Sequence, residues 1–166
     1  MRIDFFFGKI HQSLSCSSIM ATWIFVCDPK KFLIDDALQE LEEMTWLVAQ
    51  HKKLISFDDD LFIYRGGSNN AIVSRGKVNS DVGNFVSPHE VEKFWTESAK
   101  KQGNQARDRV WIWIESYSID GLGYDFLKSI KGLEKLNVGT QGTNLKVSIA
   151  EAKLLNEKWN QMLDFH

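Results

Sequence analysis

FDDDLFIYRGGSNNAIVSRGKV, residues 57–78, sets three acidic residues, an aromatic run and a Gly-Gly-Ser-Asn-Asn break side by side. It is open to reading as a cation site, a phosphate loop or a β-hairpin. A phosphate loop needs a glycine-rich turn opening onto a helix whose N-terminal amides face the anion. Here Gly66-Gly67 lead into Ala71-Ile72-Val73, which favour a strand. Asp58, Asp59 and Asp60 are consecutive, so a strand would point them to alternate faces, and no EF-hand spacing follows. They read as a solvated turn. Leu61 and Ile63 alternate with Phe62 and Tyr64, and Gly66 to Asn70 supply residues that tolerate positive φ. The stretch is a hairpin, which points to a recognition module rather than an enzyme.

Upstream, TWIFVCD (22–28) alternates as a strand buried on both sides, with Trp23, Phe25 and Cys27 on one face and Ile24 and Val26 on the other. Pro29 ends it. Ile34, Ala37, Leu38 and Leu41 then fall at helical spacing, which predicts a short helix over 35–44 with Asp35 and Asp36 at its positive end. Downstream, SPHE (87–90) has the form of a helix start, with Ser87 as N-cap and Glu90 completing a capping box, and Gly103 as the stop. DRVWIWIESYSI (108–119) predicts a long central strand covered on both faces. SIAE (148–151) repeats the capping box, and Ile149, Ala152, Leu155, Trp159, Met162 and Leu163 continue at helical spacing.

The chain has 166 residues, and 43% hydrophobic and 25% charged residues are the proportions of one globular domain. Six tryptophans exceed what such a core needs, so some are expected to line a site. A net charge of −2 offers no global attraction for phosphate. Nucleic-acid backbone contacts would therefore use a local face, for which Arg65, Arg75, Lys77, Arg107 and Arg109 are the candidates. Cys16 and Cys27 form no disulfide framework, which favours a reducing compartment and a cytoplasmic location. Residues 1–19 lack the apolar run of a signal peptide, and no segment is long enough to span a membrane. The expected organisation is a poorly ordered extension over 1–19 and one domain over 20–166.

The order and spacing of TWIFVCDP, TWLVAQHKK (45–53), FDDDLFIYRGG, AIVSRGKV, VWIWI and NVGTQGTNLKVSIAEAKLL (137–155) resemble the EVE domain, a PUA-like family related to the YTH domains. The resemblance covers residues 21–163. It implies an α/β (α+β) fold, a PUA-like strongly curved β-barrel with flanking helices, and an aromatic-lined pocket for a modified base. Carried over by position, it implies Trp23, Trp46, Tyr64 and Arg65 as pocket residues. Tyr64 stands where the family often has Trp, which alters one wall. Gln50 and Thr140, Gln141, Gly142, Thr143 and Asn144 offer the amides, hydroxyls and backbone N–H groups suited to a base edge.

The reading is a non-catalytic module that binds a modified base in DNA or RNA, in a restriction, defence or RNA-related setting. Its expected partners are a nucleic acid and a separate nuclease or motor protein, with no membrane, cofactor or metal. A protein-interaction module using a Trp-rich surface is the second reading. A hydrolase or nuclease is the third, resting on His51 near the acidic triplet, since no nucleophile motif accompanies it.

Overall fold

The structure, a computed structural model, describes residues 20–138 and 144–165. Within them the chain runs β1 (Thr22–Cys27), α1 (Ile34–Glu40), β2 (Glu43–Leu47), β3 (Asp60–Arg65), β4 (Ala71–Val78), β5 (Gly83–Phe85), α2 (His89–Glu92), α3 (Lys100–Gly103), β6 (Arg107–Gly123), α4 (Tyr124–Ser129), β7 (Asn144–Val147) and α5 (Ile149–Asp164). One mixed sheet takes the order β2-β6-β4-β3-β1-β7, with β5 beside β6. β1 pairs with β3 in parallel, and every other pairing is antiparallel. Among the described residues no helix is long and apolar enough to cross a membrane.

The alternation in β1 determines how the sheet is used. Trp23, Phe25 and Cys27 join Leu61, Ile63, Val110 and Ile112 in the cluster inside the curl. Ile24 joins Phe62, Ile72, Leu122, Leu155 and Trp159 in a second cluster between the sheet and α5. Both faces of β1 are covered, as its sequence implies. The sheet curls without closing, so β2 and β7 are its two ends. Asn144, fully buried, bridges them: its Oδ1 accepts from the Ala49 N–H at 3.1 Å and its Nδ2 donates to the Leu47 carbonyl at 3.2 Å. Asn144→Ala is expected to lower stability by about 1–3 kcal/mol, because buried backbone groups lose their partner. A shift in denaturant midpoint at unchanged m-value is the measurement.

The hairpin forms as read, with β3 and β4 antiparallel and a register irregularity at Ile63/Tyr64. The box at Ser148 also forms, and its hydroxyl accepts from the Glu151 N–H. Trp159 is buried with its indole N–H on Ser116 Oγ at 2.8 Å, which satisfies the polar atom that makes tryptophan costly to bury.

Elsewhere the fold departs from the sequence-based expectations. The helix predicted over 35–44 ends at Glu40, because Leu41 turns extended and Glu43 and Met44 enter β2. SPHE forms no box, since Ser87 Oγ is engaged with Thr45 Oγ1 at 3.1 Å, and only the short helices α2 and α3 form before and at Gly103. β6 is central, yet its second face is open: Trp113 is 45% and Tyr117 42% exposed. Ile149 likewise faces solvent. Asp59 is not solvated. It is buried, and its carboxylate accepts from Trp23 Nε1 at 2.8 Å and from the Ala21 and Ser56 N–H groups at 3.0 Å each. The aspartate run is thus partly a structural anchor. The expected extension over 1–19, with Cys16, lies outside the described residues.

Candidate functional site

Curling the sheet leaves one edge of β2 without a neighbouring strand among the described residues. The backbone bonds from Ile114 N to Glu42 O and from Val48 N to Asp108 O bracket the pairs Met44↔Ile112 and Trp46↔Val110. Antiparallel alternation therefore directs Met44, Trp46 and Val48 to β6 and turns the peptide groups of Thr45 and Leu47 to the free edge. A cleft of about 140 Å³ opens there. It is lined by Thr45, Trp46 and Leu47 of β2, by Val26 and Cys27 at the end of β1, by Asp28, Lys31 and Phe32 of the turn after β1, and by Trp95 and Gln102.

Three rings form its apolar walls. Phe32 packs edge-on to Trp46 (6.3 Å, 68°) and to Trp95 (5.3 Å, 67°). Trp46 is backed by Phe25 at 6.0 Å and 29°. The Trp95 segment is pinned across the cleft by an isolated bridge to Phe32 and by the bond from Thr96 N to Lys31 O. Gly103 lies under Trp95 so closely that a Cβ there would fall 2.8 Å from the indole, so a side chain would displace the wall. Arg109, fully buried, braces the same wall. Its guanidinium donates to the carbonyls of Phe85 (3.1 Å) and Gln102 (2.7 Å) and lies 5.9 Å from the Trp95 ring. Burial, and secondarily Arg107, pushes its pKa down to about 10, so it stays charged at neutral pH. The Trp95 indole N–H and Arg109 Nη1 are buried without a partner in the described residues.

The residues singled out from sequence are only partly brought together. Trp46 lines the cleft, 7% exposed. Trp23 is fully buried, bonded to Asp59, and outside the cleft lining. Tyr64 belongs to the cluster under α5, edge-on to Tyr124, on the other face of the sheet from Trp46. Arg65 is buried and paired with Asp35 at 2.7 Å. Gln50 is exposed beyond the end of β2. Asn144 carries the seam bridge rather than presenting its amide to the cleft. Thr140, Gln141, Gly142 and Thr143 lie outside the described residues.

Of the candidate phosphate contacts, Arg75 pairs with Glu115 and Lys77 with Asp58 and Asp60. Arg109 is interior, and Arg107 alone of the five is exposed with no carboxylate partner among the described residues. His51 is exposed at positive φ, with its ring 5.6 Å from Trp23 and no carboxylate bonded to it among the described residues. The Cys27 thiol is held far above its ordinary range by burial first and then by Asp28 and Asp35. No group of three His, Cys, Asp or Glu residues suited to a metal occurs among the described residues. Phe32, Trp95 and Asp28 were not identified from sequence. The only signal was the surplus of tryptophan, and it bears on Trp95 alone.

No protein-family model matches the chain, and no curated protein aligns with it significantly. Solved structures do share its fold. A hypothetical protein from Leishmania major superposes with a TM-score of 0.62 at 18% identity, over 87% of this chain and 97% of that one. Human THYN1, solved in complex with DNA containing 5-methylcytosine, gives 0.59 at 12% identity over 83% and 96%. A ZmASCH protein from Zymomonas mobilis gives 0.53 at 10% identity over 82% and 97%. The chain is similar to all three along most of its length and shares their α+β fold.

Proposed function

We propose that this chain is a non-catalytic module that takes a modified base, lifted from a DNA or RNA strand, into the cleft at the free edge of β2. The observation that carries the reading is the combination in one cleft of Trp46 and Trp95 with the outward-turned Thr45 peptide and the Leu47 N–H, the Leu47 carbonyl being held by Asn144. A base has two π faces and a polar edge, and this cleft has aromatic walls and main-chain donors and acceptors to match. Stacking contributes roughly 1–3 kcal/mol per base. An apolar cavity of about 150 Å³ holds a benzene ring, so the volume suits a six-membered ring inserted edge-first.

The complex of THYN1 with methylated DNA, on the same fold, supports nucleic acid as the partner. The buried, high-pKa thiol of Cys27 argues against thiolate chemistry at the cleft. In this reading the module works in the cytoplasm, delivering a nuclease or motor protein to the modified strand. A second reading, protein contact, draws on the exposed Trp113 and Tyr117 of β6.

Titration with modified nucleosides tests the first reading. Saturable quenching of tryptophan fluorescence that is lost in Trp95→Ala is expected, whereas absence of any quenching would sink it. Oligonucleotide binding is expected to be modest and salt-dependent. Arg107→Gln should flatten the salt slope by about 0.7, one single-strand phosphate contact. Arg75→Gln and Lys77→Gln should leave the slope nearly unchanged, because their charges are already paired. Equal flattening by all three would refute this division.

A further inference from the structure

We infer that the strand carrying the inserted base leaves the cleft over the seam between β2 and β7, where Lys53, Lys146 and Arg107 hold its phosphates. The inference rests on the base-binding reading and goes beyond it by giving the backbone a path. The seam continues the free edge of β2. Asn144 of β7 bonds there to Leu47 and Ala49, and Lys146, two residues on, falls on the same face of that strand. Trp23, fully buried, pairs with Lys146 in the ladder and joins the two sides of the seam, with the Lys146 ammonium 5.9 Å and the His51 ring 5.6 Å from its indole. His51 stands at φ 59°, and its carbonyl accepts from the N–H groups of Leu54 and of Ile55, whose side chain is buried. That turn is therefore fixed, and it presents Lys52 and Lys53 to solvent. From Leu47 at the cleft to His51 the chain spans at most about 14 Å.

The charges at the seam do not cancel. Lys52 is paired with Asp108, which adjoins Arg107 in β6. Asp59, buried beneath Trp23, accepts three N–H groups, and Asp58 and Asp60 meet Lys77 on the opposite face of the sheet. Lys53, Lys146 and Arg107 are exposed and have no carboxylate partner among the described residues. Four cations thus stand against Asp108 and Asp59, which makes a local positive face on a chain of net charge −2. An acidic protein segment would be drawn to the same cations, but it has no flat ring for the adjoining cleft. A nucleic acid fills both, with a base in the cleft and its flanking phosphates on the seam.

Salt titration of the full chain with a fluorescein-labelled single strand of about twelve nucleotides tests the path. Lys53→Gln and Lys146→Gln are each expected to flatten the slope of log affinity against log salt by about 0.7, and the triple variant with Arg107→Gln by roughly 2. Lys153→Gln, at an exposed lysine of α5, should leave the slope unchanged. Quenching by nucleosides, which carry no phosphate, should persist in every variant. Unchanged slopes in Lys53→Gln and Lys146→Gln, with quenching intact, would overturn the path and leave base recognition standing. Absence of quenching by any modified nucleoside in the unaltered chain would remove both. Binding of polyglutamate as tight as that of the strand, and weakened by the same substitutions, would assign the seam to an acidic protein segment and also overturn the inference.

Discussion

Trp46→Ala is expected to fail twice, losing about 3–5 kcal/mol of stability and with it the ligand. The indole is 7% exposed, stacked on Phe25 and edge-on to Phe32, so its removal leaves a void in the inner cluster that its neighbours cannot refill. Truncation of a buried tryptophan costs about that much through lost transfer energy and the residual cavity. The same indole is a wall of the cleft, and losing a stacking face costs roughly 1–3 kcal/mol of binding. A single variant therefore cannot separate the two roles, and the comparison with Trp95→Ala is decisive. Trp95 is only partly buried and sits on a segment outside the strands, so its removal should cost less stability while still weakening nucleoside binding. Denaturant midpoints and fluorescence titrations of both variants give the answer. If Trp95→Ala stays folded and binds at full strength, the aromatic cleft is not the ligand site.

How much of this was readable beforehand follows from the range of each interaction. The two-faced strand at Thr22–Cys27, the hairpin around Gly66–Asn70 and the helix begun by Ser148 rest on neighbours a few residues apart, so periodicity and turn chemistry exposed them. The Ser87 box failed because the hydroxyl had a partner 42 residues away, at Thr45, which local spacing does not register. The open second face of β6 failed similarly: Trp111 and Trp113 alternate as if covered, but the register places Trp113 beside Lys77 and Glu43, with α5 lying farther along the strand on Ser116. The cleft was half legible. Trp46 sits in a phrase shared with a family, whereas Trp95 reaches Phe32 only through a bridge spanning 63 residues. Tyr64 and Arg65 were placed in the pocket by analogy of position, but strand alternation sends Tyr64 to the α5 side and an ion pair engages Arg65. Periodicity showed which residues would be buried without showing which ring would meet which.

Asp59→Ala is expected to be among the most destabilising single changes, at roughly 3–5 kcal/mol, although the residue stands in an acidic run that suggests surface. Its carboxylate is 5% exposed and accepts three N–H groups, those of the Trp23 indole and of the Ala21 and Ser56 main chain. Each buried donor left unpaired costs about 1–3 kcal/mol, and hydrogen bonds to an ionised acceptor lie at the upper end of the range. These bonds join the start of β1 to the approach to β3, where Asp60 N donates to Ala21 O in the parallel ladder, so the loss falls on the pairing that positions Trp23 in the inner cluster. Asp58→Asn is the control, because Asp58 sits at φ 69°, a conformation that asparagine tolerates and alanine does not. Its carboxylate is half exposed and meets only Lys77, a surface pair worth about 0–1 kcal/mol. Asp59→Asn retains part of the acceptor capacity and should fall between the two. Chemical denaturation of the three variants orders them, and equal midpoints for Asp58→Asn and Asp59→Ala would show that the buried carboxylate does not anchor the strand.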